Sequence, residues 1–324
     1  MARVVVFDET GGPEVLRIMD EPVAEPGPGE VRIRTQAVGV NRLDQMVRAG
    51  ASPVPVRLPR ARLGVEATGT VDALGPGVDG LSLGDEVIVT AVPDMDVNGT
   101  YTEYLVLPAR SVVPRPAGLD ATTAAALWVA YSTAYGALVE KAGMRPGDHV
   151  LITAASSAVG LAAIQIANQI GAVPLAVTRG ATKKQALHAA GAAAVIVTDD
   201  EDVVDATHRH FGGGADIVLD SVTGPGLAHL AEAANAGATL VTVGWLDPRP
   251  ASFPQRPITL HRYMSFEHTL DPIAVRRIAA FLAAGLRIGA LKPTVDKVFT
   301  LDDIVEAHRY LEQGHQIGKI VVTV

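Results

Sequence analysis

The sequence predicts a two-domain α/β protein, with a small barrel or sandwich of short strands followed by a doubly wound parallel sheet. Three observations carry this. The 324 residues correspond to about two domains. In the first third, short β-forming runs are broken by glycine and proline, as in small barrels and sandwiches. From about residue 120, near-continuous apolar strands alternate with helical patterns, which marks a parallel sheet covered on both faces.

The first clear strand follows Pro26-Gly27-Pro28-Gly29, a strong breaker. From Glu30 onward Val31, Ile33, Thr35 and Ala37 alternate with Arg32, Arg34 and Gln36, a period of two that turns one face inward. Further strands are expected over 67–73, 86–90 and 101–107, the second of them after the Gly84-Asp85 turn. Residues 112–118, with Pro114 and Pro116, read as the linker out of this domain. The second domain is then read as strand 149–153, helix 159–170, strand 173–177, helix 182–190 and strand 194–198. It continues with helix 202–211, strand 215–219, helix 225–234 and strand 239–243. Ligands of such a sheet bind beyond the carboxyl ends of its strands. The tail adds helices over 272–284 and 301–313 and a last strand over 319–324.

Composition narrows the function. Hydrophobic residues are 48% of the chain, charged residues 19%, and mean hydropathy is +0.25, enough apolar material for large cores. The net charge of −8 lacks the basic footprint of a nucleic-acid or anionic-membrane binder. With no cysteine there are no disulfides, no thiolate nucleophile and no cysteine-ligated zinc, so no metal site is expected. The apolar run Val4 to Phe7 is too short for a signal-peptide core, and no apolar stretch reaches membrane-spanning length. A cytoplasmic protein is expected, as a homodimer on the general habit of oligomers.

After the strand ending at Thr153 comes Ala154-Ala155-Ser156-Ser157-Ala158-Val159-Gly160, opening a helix. A dinucleotide fingerprint would have glycine at 155, 157 and 160, and only Gly160 is glycine. That third glycine allows close helix-to-strand packing, while small Ala and Ser side chains still let a pyrophosphate reach the helix N-terminus. Ser156, Ser157, Ala158, Val159 and Gly160 are therefore candidate cofactor-binding residues. An NAD site would place an acid about 20 residues on, to accept from the ribose 2′-hydroxyl. Here that stretch reads Thr178-Arg179-Gly180, with Lys183 and Lys184 beyond. A hydroxyl and cations suit a 2′-phosphate, so Thr178, Arg179 and Lys183 point to NADPH. Lys184 reads as a solvated helix start.

Motifs along nearly the whole chain give a resemblance. Gly11-Gly12-Pro13-Glu14-Val15-Leu16, the Asn-x-x-Asp segment Gly39-Val40-Asn41-Arg42-Leu43-Asp44 with Arg48 and Gly50, and Gly64-Val65-Glu66-Ala67-Thr68-Gly69 come first. Ser132-Thr133-Ala134-Tyr135-Gly136, Asp220-Ser221-Val222 and Gly318-Lys319-Ile320-Val321 follow. In this order and spacing they resemble the zinc-independent medium-chain dehydrogenase/reductase family, in its quinone oxidoreductase (zeta-crystallin-like) branch. The resemblance implies a GroES-like β-barrel catalytic domain over 1–121, an inserted Rossmann cofactor domain over 122–268, and a return to the catalytic domain over 269–324. Zinc-dependent relatives carry a Cys and a His ligand where this chain has Asn41 and Val65-Glu66.

The same resemblance implies roles for single residues. Thr133 would pack against a nicotinamide with Gly244 and Trp245 on its far side, and Ser221 and Val222 would lie along the cofactor. Asn41 is the candidate for a hydrogen bond to substrate or ribose, its alternative being a structural amide. Asp44 reads as structural, paired with Arg48 at helical spacing. Tyr131 is a candidate catalytic residue and, with Trp128, Trp245 and Tyr263, a candidate aromatic wall. Where the branch has a Tyr after the Asn-x-x-Asp segment, this chain has Gln45-Met46. The implied activity is NADPH-dependent reduction of quinones or of double bonds conjugated to a carbonyl. Its alternatives are a tailoring reductase of a biosynthetic intermediate and an NADPH-binding protein without turnover.

Overall fold

The computed structural model describes residues 1–51 and 56–324. They form two compact units, Met1–Val129 with Pro293–Val324, and Ala130–Lys292.

In the first unit the long strand Glu30–Val40 organises the sheet. Its alternation holds as expected: Val31, Ile33, Thr35 and Ala37 are all buried. One edge pairs antiparallel with Ala67–Leu74. The other edge is shared, Glu30 to Arg34 with Tyr104–Pro108 and Ala37 to Val40 with the final strand Lys319–Thr323. Lys319–Thr323 pairs in turn, in parallel, with Val295–Thr300. A separate antiparallel pair, Ala2–Val6 with Arg17–Glu21, lies outside the elements read from sequence. Val31, Ile33, Leu63, Val87 and Leu107 meet Ile304, Ala307 and Leu311 of the helix Ile304–Gln313 in one core. The C-terminal segment is therefore part of this core.

The segment over 112–118 departs from the linker reading. Val112–Pro114 is a strand paired antiparallel with Glu86–Val89, and Pro114 stands opposite Val87. It is the last strand of the sheet, where a proline loses no ladder bond.

The second unit has six parallel strands in the order Ala194–Val197, Val173–Thr178, His149–Ile152, Ala215–Asp220, Ala234–Thr242, Thr259–Arg262. In chain order this is 3-2-1-4-5-6, the doubly wound plan whose ligand crevice opens between strands 1 and 4. The helix expected over 225–234 is shorter, Leu227–Ala231 after a 3-10 turn, and the chain is back in the sheet at Ala234. Asn235 explains the early return, because its side chain bonds the backbone of Gly214 and the carboxylate of Asp216. The sixth strand, Thr-Leu-His-Arg, lacks an apolar run because it is a half-exposed edge.

The unit boundaries also differ from the expected 121/122 and 268/269. Trp128 stays with the first unit, its Nε1 donating to Thr90 O at 2.8 Å. The helix Pro272–Arg287 stays with the second, Phe281 against Tyr135 at 4.8 Å. A Cβ at Gly285 would lie 2.5 Å from Leu291, so the return falls after Lys292. Among the described residues, no helix is long and apolar enough to cross a membrane.

Candidate functional site

The turn Thr153 to Gly160 leaves the strand His149–Ile152 and opens the helix Ala158–Ile170. Ala154 takes φ 45°, a left-handed conformation that costs a residue with a side chain about 1 kcal/mol. Its carbonyl accepts from the Ser157 amide at 2.9 Å, and the Ala155 amide donates to Val177 O at 3.1 Å. Gly160 is needed sterically, since a Cβ there would lie 2.5 Å from the Cα and the carbonyl oxygen of Ala155. Ser157 is the helix N-cap, its Oγ accepting from the Gly160 amide at 3.1 Å. Ala158 and Val159 follow in the first turn, where helix amides lack intrahelical acceptors and suit an anion. Ser156 is buried within the turn.

Beside it, Thr178 ends the strand Val173–Thr178 and is buried, while Arg179 is exposed and Lys183 half-buried in the 3-10 turn Ala181–Lys183. The fold adds an acid that counting along the chain does not reach. A Cβ at Gly180 would lie 3.7 Å from the Asp199 carboxylate, beyond the third strand. The loops after strands 4 and 5 are stitched together, Leu246 N donating to Ser221 O at 3.2 Å and Asp247 N to Val222 O at 3.0 Å. A Cβ at Gly244 would lie 2.9 Å from Ser221 O. The Arg262 guanidinium sits 4.7 Å from the Trp245 ring centre. Ser156 to Gly160, Thr178, Arg179, Ser221, Val222, Gly244 and Trp245 are thus all beyond the carboxyl ends of one sheet's strands.

Thr133 and Tyr131 lie on the buried helix Trp128–Tyr135. The Tyr131 hydroxyl donates to Gln165 Oε1 at 2.8 Å, and Gln165 bonds the Lys292 backbone through both its amide atoms. Burial pushes the phenol well above its ordinary range. Tyr131 is thus fastened to Gln165 inside the second unit. Sequence reasoning also missed Thr153 and Asp220, joined by a 2.6 Å hydrogen bond between strands 1 and 4.

The first unit holds the other polar cluster. Asn41 precedes the helix Arg42–Arg48, its amide N–H donating to Asp44 Oδ2 at 2.8 Å. Its side chain donates to Glu66 Oε1 at 2.9 Å and to Gly39 O at 3.2 Å, and its Oδ1 accepts from Lys319 Nζ at 2.6 Å. Lys319 also pairs with Glu66, both buried. The Asp44–Arg48 pair is absent among the described contacts. Asp44 instead accepts from Asn41, from the Gly64 amide at 3.1 Å and from the Tyr101 hydroxyl at 2.9 Å. Arg48 reaches Gly11 O and Glu312. Helical spacing allowed the first pairing, but the carboxylate is taken up by three other donors.

Residues 27–117 match the alcohol dehydrogenase GroES-like domain family, and residues 190–322 the zinc-binding dehydrogenase family. A quinone oxidoreductase of Lama guanicoe is 31% identical over 99% of this chain and 97% of its own length. The chain belongs to the medium-chain dehydrogenase/reductase family, in its quinone oxidoreductase branch. Within the family, a 2-haloacrylate reductase of a Burkholderia species is 30% identical over 99% of both chains. The structure of Escherichia coli quinone oxidoreductase complexed with NADPH superimposes with a TM-score of 0.93, at 25% identity over the whole of both chains. The first unit is accordingly the family's GroES-like domain, and the second its Rossmann-like domain.

Two expectations follow. Gly160→Val should cost about 1–3 kcal/mol of stability, because the side chain would force the helix off the Ala155 backbone. It should also weaken dinucleotide binding; melting and nicotinamide-fluorescence titration check both, and wild-type values would show that the close approach is dispensable. The second expectation concerns pH. Burial raises the Asp44 carboxyl to about 6, against the hydrogen bonds from Asn41 and Tyr101 that favour its ionised form. A carboxyl raised by folding stabilises the fold below its unfolded pKa, and that contribution is lost as pH rises through the folded value. Relative to the non-titrating Asp44→Asn, the wild type should lose up to about 3 kcal/mol between about pH 4 and about pH 7. Urea unfolding across that range measures it, and a flat difference would exclude the titration.

Proposed function

We propose that the protein is a zinc-independent, NADPH-dependent oxidoreductase that reduces quinones or α,β-unsaturated carbonyl compounds by hydride transfer. The observation that carries this reading is the Thr153–Gly160 turn, packed for a pyrophosphate, with Arg179 at the end of the neighbouring strand. The named substrates of the relatives support it: a quinone and a 2-haloacrylate both present a carbon made electrophilic by conjugation. When bound, the dinucleotide supplies a hydride from nicotinamide C4 to such a carbon, and the proton comes from solvent or a nearby hydroxyl.

The chain's own part is to bind and orient. The Ala158 and Val159 amides receive the pyrophosphate, with Ser156, Ser157 and Gly160 shaping the turn. Thr178, Arg179 and Lys183 receive the 2′-phosphate through charge-assisted hydrogen bonds. Ser221 and Val222 lie along the dinucleotide, and Thr133, Gly244 and Trp245 flank the nicotinamide. Asn41 serves as a hydrogen-bond acceptor for a hydroxyl of ribose or substrate, because both of its side-chain N–H groups are already used. The chain is read as cytoplasmic.

Assembly is read as a homodimer. The edge strand Thr259–Arg262 presents an unpaired backbone with exposed Leu260, followed by exposed Met264 and Phe266. An edge of this kind pairs with a second copy about a twofold axis. Sedimentation should give a dimer for the wild type and a monomer for Leu260→Lys; a wild-type monomer at micromolar concentration rejects the assembly.

Loss of NADPH absorbance with a panel of quinones and enones tests the activity. Turnover with at least one class is expected, and tight NADPH binding without turnover on any would favour the non-catalytic reading. Arg179→Ala should weaken NADPH by roughly 10- to 150-fold, the loss of one charge-assisted contact, while leaving NADH almost unchanged. Equal loss for both cofactors would mean that Arg179 supports the fold instead.

A further inference from the structure

At the point where the strand order reverses, one carboxylate ties the two sides together. Asp220 ends the strand Ala215–Asp220 and is fully buried. Its Oδ1 accepts from the Thr153 hydroxyl at 2.6 Å and from the Val222 amide at 3.1 Å, and its Oδ2 from the Thr223 amide at 2.8 Å. Thr153 reciprocates, its Oγ1 accepting from the Ser221 amide at 3.0 Å. One carboxylate and one hydroxyl thereby hold three successive amides, 221 to 223. Thr223 sits at φ 57°, ψ −137°, a conformation that a residue with a side chain adopts only where its surroundings impose it.

We propose that Asp220, acting with Thr153, is a positioning residue that holds the phosphate turn and the Ser221–Val222 loop in register across the dinucleotide crevice. The proposal rests on the dinucleotide reading of that crevice. Thr153 is the first residue of the phosphate turn, so the hydroxyl that anchors the loop also fixes where the turn starts. The acid is specifically required. Both of its oxygens face donors, and asparagine would turn an N–H₂ group toward one of them and leave that donor without an acceptor. Thr153→Val keeps the shape and removes the hydroxyl, whereas Thr153→Ser keeps the hydroxyl.

The test compares wild type, Thr153→Val, Thr153→Ser and Asp220→Asn by nicotinamide-fluorescence titration with NADPH and NADH. It adds the KM for NADPH and kcat at saturating NADPH, on preparations shown folded by circular dichroism. Thr153→Val and Asp220→Asn should raise the NADPH dissociation constant and KM by about tenfold or more, with kcat within about threefold. Thr153→Ser should recover most of the affinity. If Asp220→Asn does not fold, the Val and Ser pair at position 153 decides alone. Affinity at the wild-type level in folded Thr153→Val, or equal loss with Ser and Val, overturns the positioning role. Wild type that binds neither dinucleotide overturns the dinucleotide reading and this proposal together, whereas normal wild-type binding with unaffected variants removes this proposal alone.

Discussion

The first unit depends on a buried ion pair between Glu66 and Lys319, residues far apart in the chain, which closes a domain written in two separate pieces. Lys319 opens the last strand, and that strand fills the place between Glu30–Val40 and Val295–Thr300. Without it the long strand would keep half an edge unpaired, and Ile320 and Val322 would leave the core. Removing one member of such a pair strands a charge in the interior, typically costing about 3–5 kcal/mol. Separating the two pieces by a compact insertion is inexpensive by comparison. Closure entropy grows only logarithmically, about 0.6 kcal/mol for each doubling of the loop.

In the second unit, close approach of backbone is a further constraint. Gly160 against Ala155 and Gly244 against Ser221 are the two places where a Cβ would strike main chain beside the crevice. The fingerprint's other glycines are replaced, and each replacement has a physical consequence. Ala155 is fully buried against the helix and Ser157 caps the first turn; beside them Ala154, outside the fingerprint positions, adopts the left-handed backbone that glycine would accept without strain. The turn thus gives up conformational ease and gains a cap, while the one approach that tolerates no side chain stays glycine.

What was legible in the sequence follows from the range over which each signal acts. The alternation Val31, Ile33, Thr35, Ala37 is local, and so is the strand–turn–helix at 153–160; both stand where the pattern put them. Val112–Pro114 was hidden because two nearby prolines signal a linker unless the strand lies at an edge. Asp44 could be placed as structural, but its donors at 64 and 101 belong to other parts of the chain, so spacing selected the wrong partner. Tyr131 and Asp220 show the same limit. Their hydrogen-bond partners are Gln165 and Thr153, and only the tertiary fold brings those residues within reach.

Asn41 shows how such distant partners also decide chemistry. An isolated amide can present either end to a ligand. Here Lys319 donates to its oxygen, while Glu66 and the Gly39 carbonyl take its two hydrogens, so its orientation is fixed. One lone pair of Oδ1 is left, which can accept from a hydroxyl but cannot donate to an oxygen gathering negative charge. In the proposed reading, oxyanion stabilisation therefore comes from other donors or from water, and Asn41 is proposed to select and orient a hydroxyl. The buried ion pair that closes the first unit is thus also what sets the polarity of its candidate site.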